Sequence, residues 1–220
     1  MSIVEQPSSS RDASPLVLKA AERDEEVRLA HDLMAKSHSP NYYRASEWFD
    51  ACGLGYPGFR REHTRIALWK DELAGALRIT TDTIRFGEAR LKMGGLGWVT
   101  TEPRHRHKGV CTALMRHTLR YMKDHGYHVS MLFGIPNFYH RFGYATVLPE
   151  HTVSIDAVEA HSTGEPLMRV RDIKPGDIAA IQRIHSENDT GVPCSLLRSR
   201  AHFSNKWDLF RKARVLTTEQ

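Results

Sequence analysis

The stretch VTTEPRHRHKGVCTALM, residues 99–115, decides the reading of this chain. It opens on strand-forming residues, passes through a basic run that ends at Gly109, and continues with apolar residues at helical spacing. From Gly109 to His125, Val110, Ala113, Leu114, Tyr121 and Met122 follow the pattern of a helix packed on one side, and Gly126 supplies its stop. YHVSMLF, residues 127–133, is then a new strand. Strand 96–101, helix 109–125 and strand 127–133 form a crossover unit, and a crossover of this kind makes the two strands parallel.

A strand, a loop ending in glycine and a helix N-terminus together make an anion site. The first amides of a helix have no intrahelical partner, and the helix dipole places about half a positive charge beside them. Gly109 lets backbone approach a phosphate without an intervening Cβ, and Arg106 and Lys108 add charge-assisted contacts. A nucleotide P-loop is excluded, because its lysine follows the glycine and here Lys108 precedes it. A dinucleotide fingerprint is excluded too, since GGLG at 94–97 comes before the strand end and reads as a turn. His105 and His107 lack cysteine or carboxylate partners and are expected to be solvated rather than to bind metal. The residues of the loop alone leave a solvated basic turn open.

Working outward, LVLKAA after Pro15 is a short strand. The helix that follows buries Val27, Ala30, Leu33 and Met34, with Asp24 near its start as cap. A second helix is expected over YRASEWFDAC, residues 43–52. Residues 63–103 read as three or four strands in meander, with turns at Lys70-Asp71 and at Phe86-Gly87-Glu88. Gly94-Gly95 is expected to break the chain before the last of these strands. Downstream, PNFYHRFGY is a short helix from Pro136 to Gly143, and ATVLPEHTVSIDA is expected to return as closing strands. LMRVRDIKPGDIAAIQRIHSEND repeats the strand-then-helix theme of the N-terminus, with Ile178, Ile181 and Ile184 or His185 on one face.

The domain expectation is a leader at 1–15, one module at 16–158, a linker at 159–166, and the front of a second similar module at 167–220. That second copy lacks a basic loop of its own, so the chain is expected to be a fragment, with a vestigial second module as the alternative. An incomplete module exposes apolar surface that a second copy of the chain would cover. The net charge of +5 favours anionic ligands without demanding nucleic acid, and the aromatics do not interleave with the basic run as in single-strand binders. Three widely spaced cysteines give no disulfide framework, which suits the cytoplasm. No apolar run reaches the roughly 20 residues of a membrane span.

Residues 99–115 resemble the acyl-CoA signature of the GNAT acetyltransferase superfamily: a strand, then Arg or Gln, two residues, Gly, one residue and Gly or Ala, then a helix. Arg106, Gly109 and Val110 match, while Cys111 stands at the usual Gly or Ala. Pro103, Arg106 and Gly109, followed by Tyr139, Arg141, Phe142, Gly143 and Tyr144, resemble the Eis-like (enhanced intracellular survival) branch. The resemblance implies an α/β fold with a central mixed sheet, a βαβ crossover and a V-shaped splay of the two parallel strands. It implies transfer of an acetyl group from acetyl-CoA, without a metal, to a primary amine of an aminoglycoside, polyamine or lysine type.

Carried onto this chain, the resemblance places the pantetheine arm along Val99, Thr100 and Thr101. The diphosphate falls on Arg106 and the amides of His107, Lys108, Gly109, Val110, Cys111 and Thr112. Gly134 and Ile135 border the thioester, and Asn137 contacts the pantetheine. Tyr139 matches the family's general acid; a phenol of pKa about 10 stays protonated at neutral pH and can donate to the departing sulfur. Tyr139 packed among aromatics, Asn137 as a helix starter and Glu102 as an exposed turn residue stay open as structural readings. So do Trp48, Phe49 and Tyr56 as core rather than acceptor pocket. A CoA-binding module without turnover is the alternative function.

Overall fold

Five strands cross the sheet in chain order: β1 (Leu16–Ala20), β2 (Thr64–Trp69), β3 (Glu72–Phe86), β4 (Ala89–Thr101) and β5 (Val129–Met131). The computed structural model describes residues 15–39, 59–147, 152–156, 158–159, 171 and 174–199. The helix expected over 43–52, with Trp48, Phe49 and Tyr56, lies outside them, as do residues 1–14 and most of 159–173. The chain divides into two compact units, Met1–Thr83 with Leu91–Leu132, and Ile84–Arg90 with Phe133–Gln220.

In the first unit β1 pairs antiparallel with β2, and β2 antiparallel with β3. The turn between β2 and β3 is Lys70-Asp71, both left-handed at φ 50° and 65°, as a two-residue hairpin of matching twist requires. Gly87, φ 57°, turns β3 into β4. β4 and β5 are parallel and joined by the crossover helix α2 (Val110–Asp124). Its buried face is Val110, Leu114, Met115, Thr118 and Met122. Thus the crossover and the mixed sheet expected from the sequence are present.

The other helix of this unit, α1 (Asp24–His38), buries Val27, Ala30, Leu33 and Met34, as its period demands. Its start is held by Glu26 rather than by Asp24. The Glu26 carboxylate accepts the N–H groups of Glu22 (2.8 Å) and Arg23 (3.3 Å) and meets the Lys19 ammonium at 2.9 Å. Burial works against this charge, but the Glu22 amide and the Lys19 ammonium outweigh it and bring its pKa down to about 2.

Neighbouring residues of β3 show which helix covers which face. A Cβ built on Gly75 would lie 3.1 Å from Val110 Cγ1 of α2, whereas Ala76 belongs to the cluster of Ala30, Leu33, Met34 and Ile66 around α1. Adjacent strand residues point to opposite faces, so the two helices cover opposite faces of the sheet.

One expectation fails here. Gly94 and Gly95 do not break the chain; β4 runs through them from Ala89 to Thr101. Each glycine is a site of close approach. A Cβ at Gly94 would collide with Met122 of α2 and crowd Tyr127, and one at Gly95 would collide with Thr80 of β3.

Beneath α2 the sheet carries a buried cation. Arg65, 5% exposed, donates to the Glu62 carbonyl and to His117 Nδ1, both at 3.2 Å, and lies 4.5 Å over the Tyr121 ring. A guanidinium always donates, so His117 Nδ1 is the acceptor and its ring is neutral. Burial first, then the charges of Arg65 and Arg120, push the His117 pKa below its ordinary value.

In the second unit, α3 (Ile178–Asn188) buries Ile178 and half-buries Ile181 and His185; Ile184 is half exposed, so the third position of the face is His185. Asp177 starts this helix, accepting the Lys174 amide at 2.8 Å and a two-pronged contact from Arg171 at 2.7 and 2.9 Å. β6 (Ser195–Leu196) pairs with Ile84 and Arg85, the far end of β3. Of the closing strands expected over 145–157, the described residues, 145–147 and 152–156, lie outside any strand.

Candidate active site

The parallel register of β4 and β5 has three pairs, Met93 with Val129, Gly94 with Ser130 and Gly95 with Met131. Past Gly95, β4 continues for six residues to Thr101 while β5 has ended. This extension of β4 past the end of β5 is an arm with no partner on the β5 side, and it carries Val99, Thr100 and Thr101. Trp98 within that arm has φ 58°, a left-handed bend in mid-strand that changes which way the following residues face. The Thr100 hydroxyl is already engaged. It meets Ser37 Oγ at 2.5 Å, and since Ser37 donates to the Leu33 carbonyl, Thr100 is the donor. The Thr100 hydroxyl hydrogen is therefore spent within the fold.

Beyond Thr101 the chain makes one turn of 3-10 helix, Pro103–His105, before α2. The N–H groups of His105 and Arg106 are spent on that turn, bonded to Glu102 and Pro103. Then the geometry changes. His107 and Gly109 are both left-handed, φ 61° and 79°, and the first bond of α2 runs from Ala113 N–H to the Gly109 carbonyl. Among the described residues, the N–H groups of His107, Lys108, Gly109, Val110 and Thr112 bond to no backbone carbonyl or side chain of the chain. Among the described residues nothing lies within 4 Å of a Cβ built on Gly109, so the space beside Gly109 is open. Open amides, left-handed residues and the positive end of a 15-residue helix fit a diphosphate.

The basic side chains are less uniform than their alternation suggests. Arg104 pairs with Glu72 of the β2–β3 hairpin at 3.2 Å, and Lys108 Nζ lies 5.6 Å from the centre of the Trp69 ring. Arg106 is exposed and makes no ion pair among the described residues. His107 is exposed. His105 is not solvated as expected: it is 6% exposed, with its ring 6.1 Å from that of Trp69. Cys111 is half-buried in the first turn of α2. Glu102 is half-buried rather than exposed, and its N–H bonds the Ala74 carbonyl at 2.9 Å. Among the described residues no group of three or more His, Cys, Asp or Glu is placed to hold a metal, and no helix is long and apolar enough to cross a membrane.

Gly134, Ile135, Asn137 and Tyr139 belong to the second unit. Gly134 and Ile135 are exposed, and Asn137 is left-handed at φ 62°. Tyr139 begins a 3-10 turn, Tyr139–Phe142, that Gly143 ends at φ 91°. Its half-buried ring stands edge-on to Phe138 at 4.9 Å and to Tyr144 at 6.0 Å. Arg141 lies over the rings of Phe138 and Phe142, so this motif arginine packs on aromatics.

Ser37, Trp69, Glu72 and Gly75 were not singled out from the sequence. They reach the site only through sheet pairing and helix packing, and no local motif marks them.

A comparison with curated proteins gives no match. Solved structures share the fold. A probable N-acyltransferase from Enterococcus faecalis is 19% identical with a TM-score of 0.62, covering 86% of this chain and 48% of its own. Eis1 from Mycobacterium abscessus is 18% identical with a TM-score of 0.58, covering 90% and 48%. A GCN5-related N-acetyltransferase from Kribbella flavida is 18% identical with a TM-score of 0.57, covering 87% and 49%. The chain thus spans about half the length of these proteins. Residues 18–147, more than half of the chain, match the family described as Acetyltransferase (GNAT) domain, whose cosubstrate is acetyl-CoA. With the crossover, the early end of β5 and the open amides in place, the chain belongs to the GNAT acetyltransferase family.

Proposed function

We propose that this chain transfers an acetyl group from acetyl-CoA to a primary amine of an aminoglycoside, a polyamine or a lysine-type acceptor, in the manner of the Eis-like branch. The observation that carries this reading is the set of open amides of His107, Lys108, Gly109, Val110 and Thr112, with the arm of β4 that has no β5 partner leading into them. These amides hold the diphosphate, and exposed Arg106 adds charge to them. Backbone groups of Val99, Thr100 and Thr101 hold the pantetheine arm, with Asn137 as a further contact and Gly134 and Ile135 bordering the thioester. When bound, acetyl-CoA supplies a thioester already activated for attack. Tyr139 gives its phenolic proton to the sulfur that leaves. The spacing of the three cysteines supports the cytoplasm as the working compartment.

The test is release of free thiol from acetyl-CoA against a panel of amines, with the products weighed by mass spectrometry. An acetylated amine is expected. Binding of acetyl-CoA with no thiol released by any amine would replace this reading with a CoA-binding module without turnover.

A further inference from the structure

A non-glycine residue in the left-handed region persists only where its surroundings over-determine it, and His107 is such a residue in the middle of the diphosphate loop. Its neighbours are held from outside the loop. His105 on one side is buried, and among the described residues neither ring nitrogen has a hydrogen-bond partner, so packing and not polar contact keeps it in place. The ring it lies against is Trp69. Lys108 on the other side places its ammonium over the same indole. The Arg104–Glu72 pair also ties the loop to the hairpin, but both partners are well exposed, and such pairs contribute little. Half-buried Trp69, at the end of β2, therefore meets the loop on both sides of its strained residue.

The geometry points to Trp69 as the positioning residue of the diphosphate site. Resting on the reading that this loop binds acetyl-CoA, the inference assigns Trp69 two tasks. It clamps His105, so that the amides from His107 onward stay turned to one side. It also holds the Lys108 ammonium beside the loop, through the ring face, instead of leaving it free in solvent. Trp69 touches neither cosubstrate nor acceptor; it acts through His105 and Lys108.

The experiment compares wild type, Trp69→Ala and Trp69→Phe by calorimetry with CoA, and by steady-state kinetics with whichever amine the panel identifies. Losing one or two amide–phosphate bonds predicts a Kd for CoA about tenfold higher in Trp69→Ala. The acetyl-CoA KM is expected to rise in parallel while kcat at saturation stays near wild type. Trp69→Phe keeps a ring face and is expected to recover most of the affinity. Should Trp69→Ala fail to fold, Trp69→Leu, with bulk but no ring face, carries the same expectation. An unchanged Kd, or a fall in kcat as large as the rise in KM, overturns the assignment. If wild type itself does not bind CoA, it is the acetyl-CoA reading that falls.

Discussion

Gly109 shows most directly what a single residue does here. Its φ of 79° is strained for any other side chain, by about 1–2 kcal/mol, yet the space in front of it is open. Gly109→Ala is therefore expected to fold and keep some affinity. Gly109→Glu sets a carboxylate where the proposed diphosphate would lie and is expected to abolish CoA binding in calorimetry with the circular dichroism spectrum preserved. Unchanged affinity in Gly109→Glu would refute the cradle. Tyr139 poses the complementary question, since its ring already packs on Phe138 and Tyr144. Tyr139→Phe keeps the ring and removes the hydroxyl alone. Loss of a general acid lowers kcat on the order of a hundredfold, with the acetyl-CoA KM little changed. A wild-type kcat would make Tyr139 a packing residue.

Among the elements, β3 controls the site without entering it. A Cβ on Gly75 would come within 3.1 Å of both the Thr100 carbonyl oxygen and Val110 Cγ1. One is backbone and the other belongs to a stiff β-branched side chain, so neither yields easily. Gly75→Ala is expected to cost about 1–3 kcal/mol in urea unfolding. It also pushes on the end of β4 and the start of α2 together, so the acetyl-CoA KM is expected to rise. Wild-type stability and KM would show that the sheet relaxes around the added methyl group. On α1 a comparable dependence sits in Glu26, whose carboxylate serves two amides and an ammonium at once.

Across the whole molecule, buried His63 and half-buried His117 contribute to the response to acid. Burial lowers the pKa of His117 and of His63, aided at His117 by Arg65 and Arg120. Unfolded, both take up protons near pH 6.5; folded, they resist until lower pH. The unfolded state thus binds more protons in that window. Stability is full above about pH 6.5 and falls as pH drops toward the folded values. Thermal melting is expected to occur at a lower temperature at pH 5.5 than at pH 7.5. His117→Gln, whose amide oxygen can still accept from Arg65, is expected to flatten that slope. An unaltered slope would assign the dependence elsewhere. Much of this architecture is legible in the sequence because its signals are local: the Lys70-Asp71 and Gly87 turns, the α2 period and the glycine before it. What is not legible depends on distant partners. Gly94-Gly95 reads as a turn until Met122, Tyr127 and Thr80 are seen filling the room its missing side chains leave. His105 reads as solvated until Trp69 arrives beside it.

That glycine pair also limits how the protein can change. On both faces of β4, just where β5 parts from it, neighbouring side chains already occupy the volume that any larger residue would need. Substitution there has no free direction. New acceptor preference must consequently arise in segments away from this seam, which is the place an engineer of altered selectivity should leave untouched.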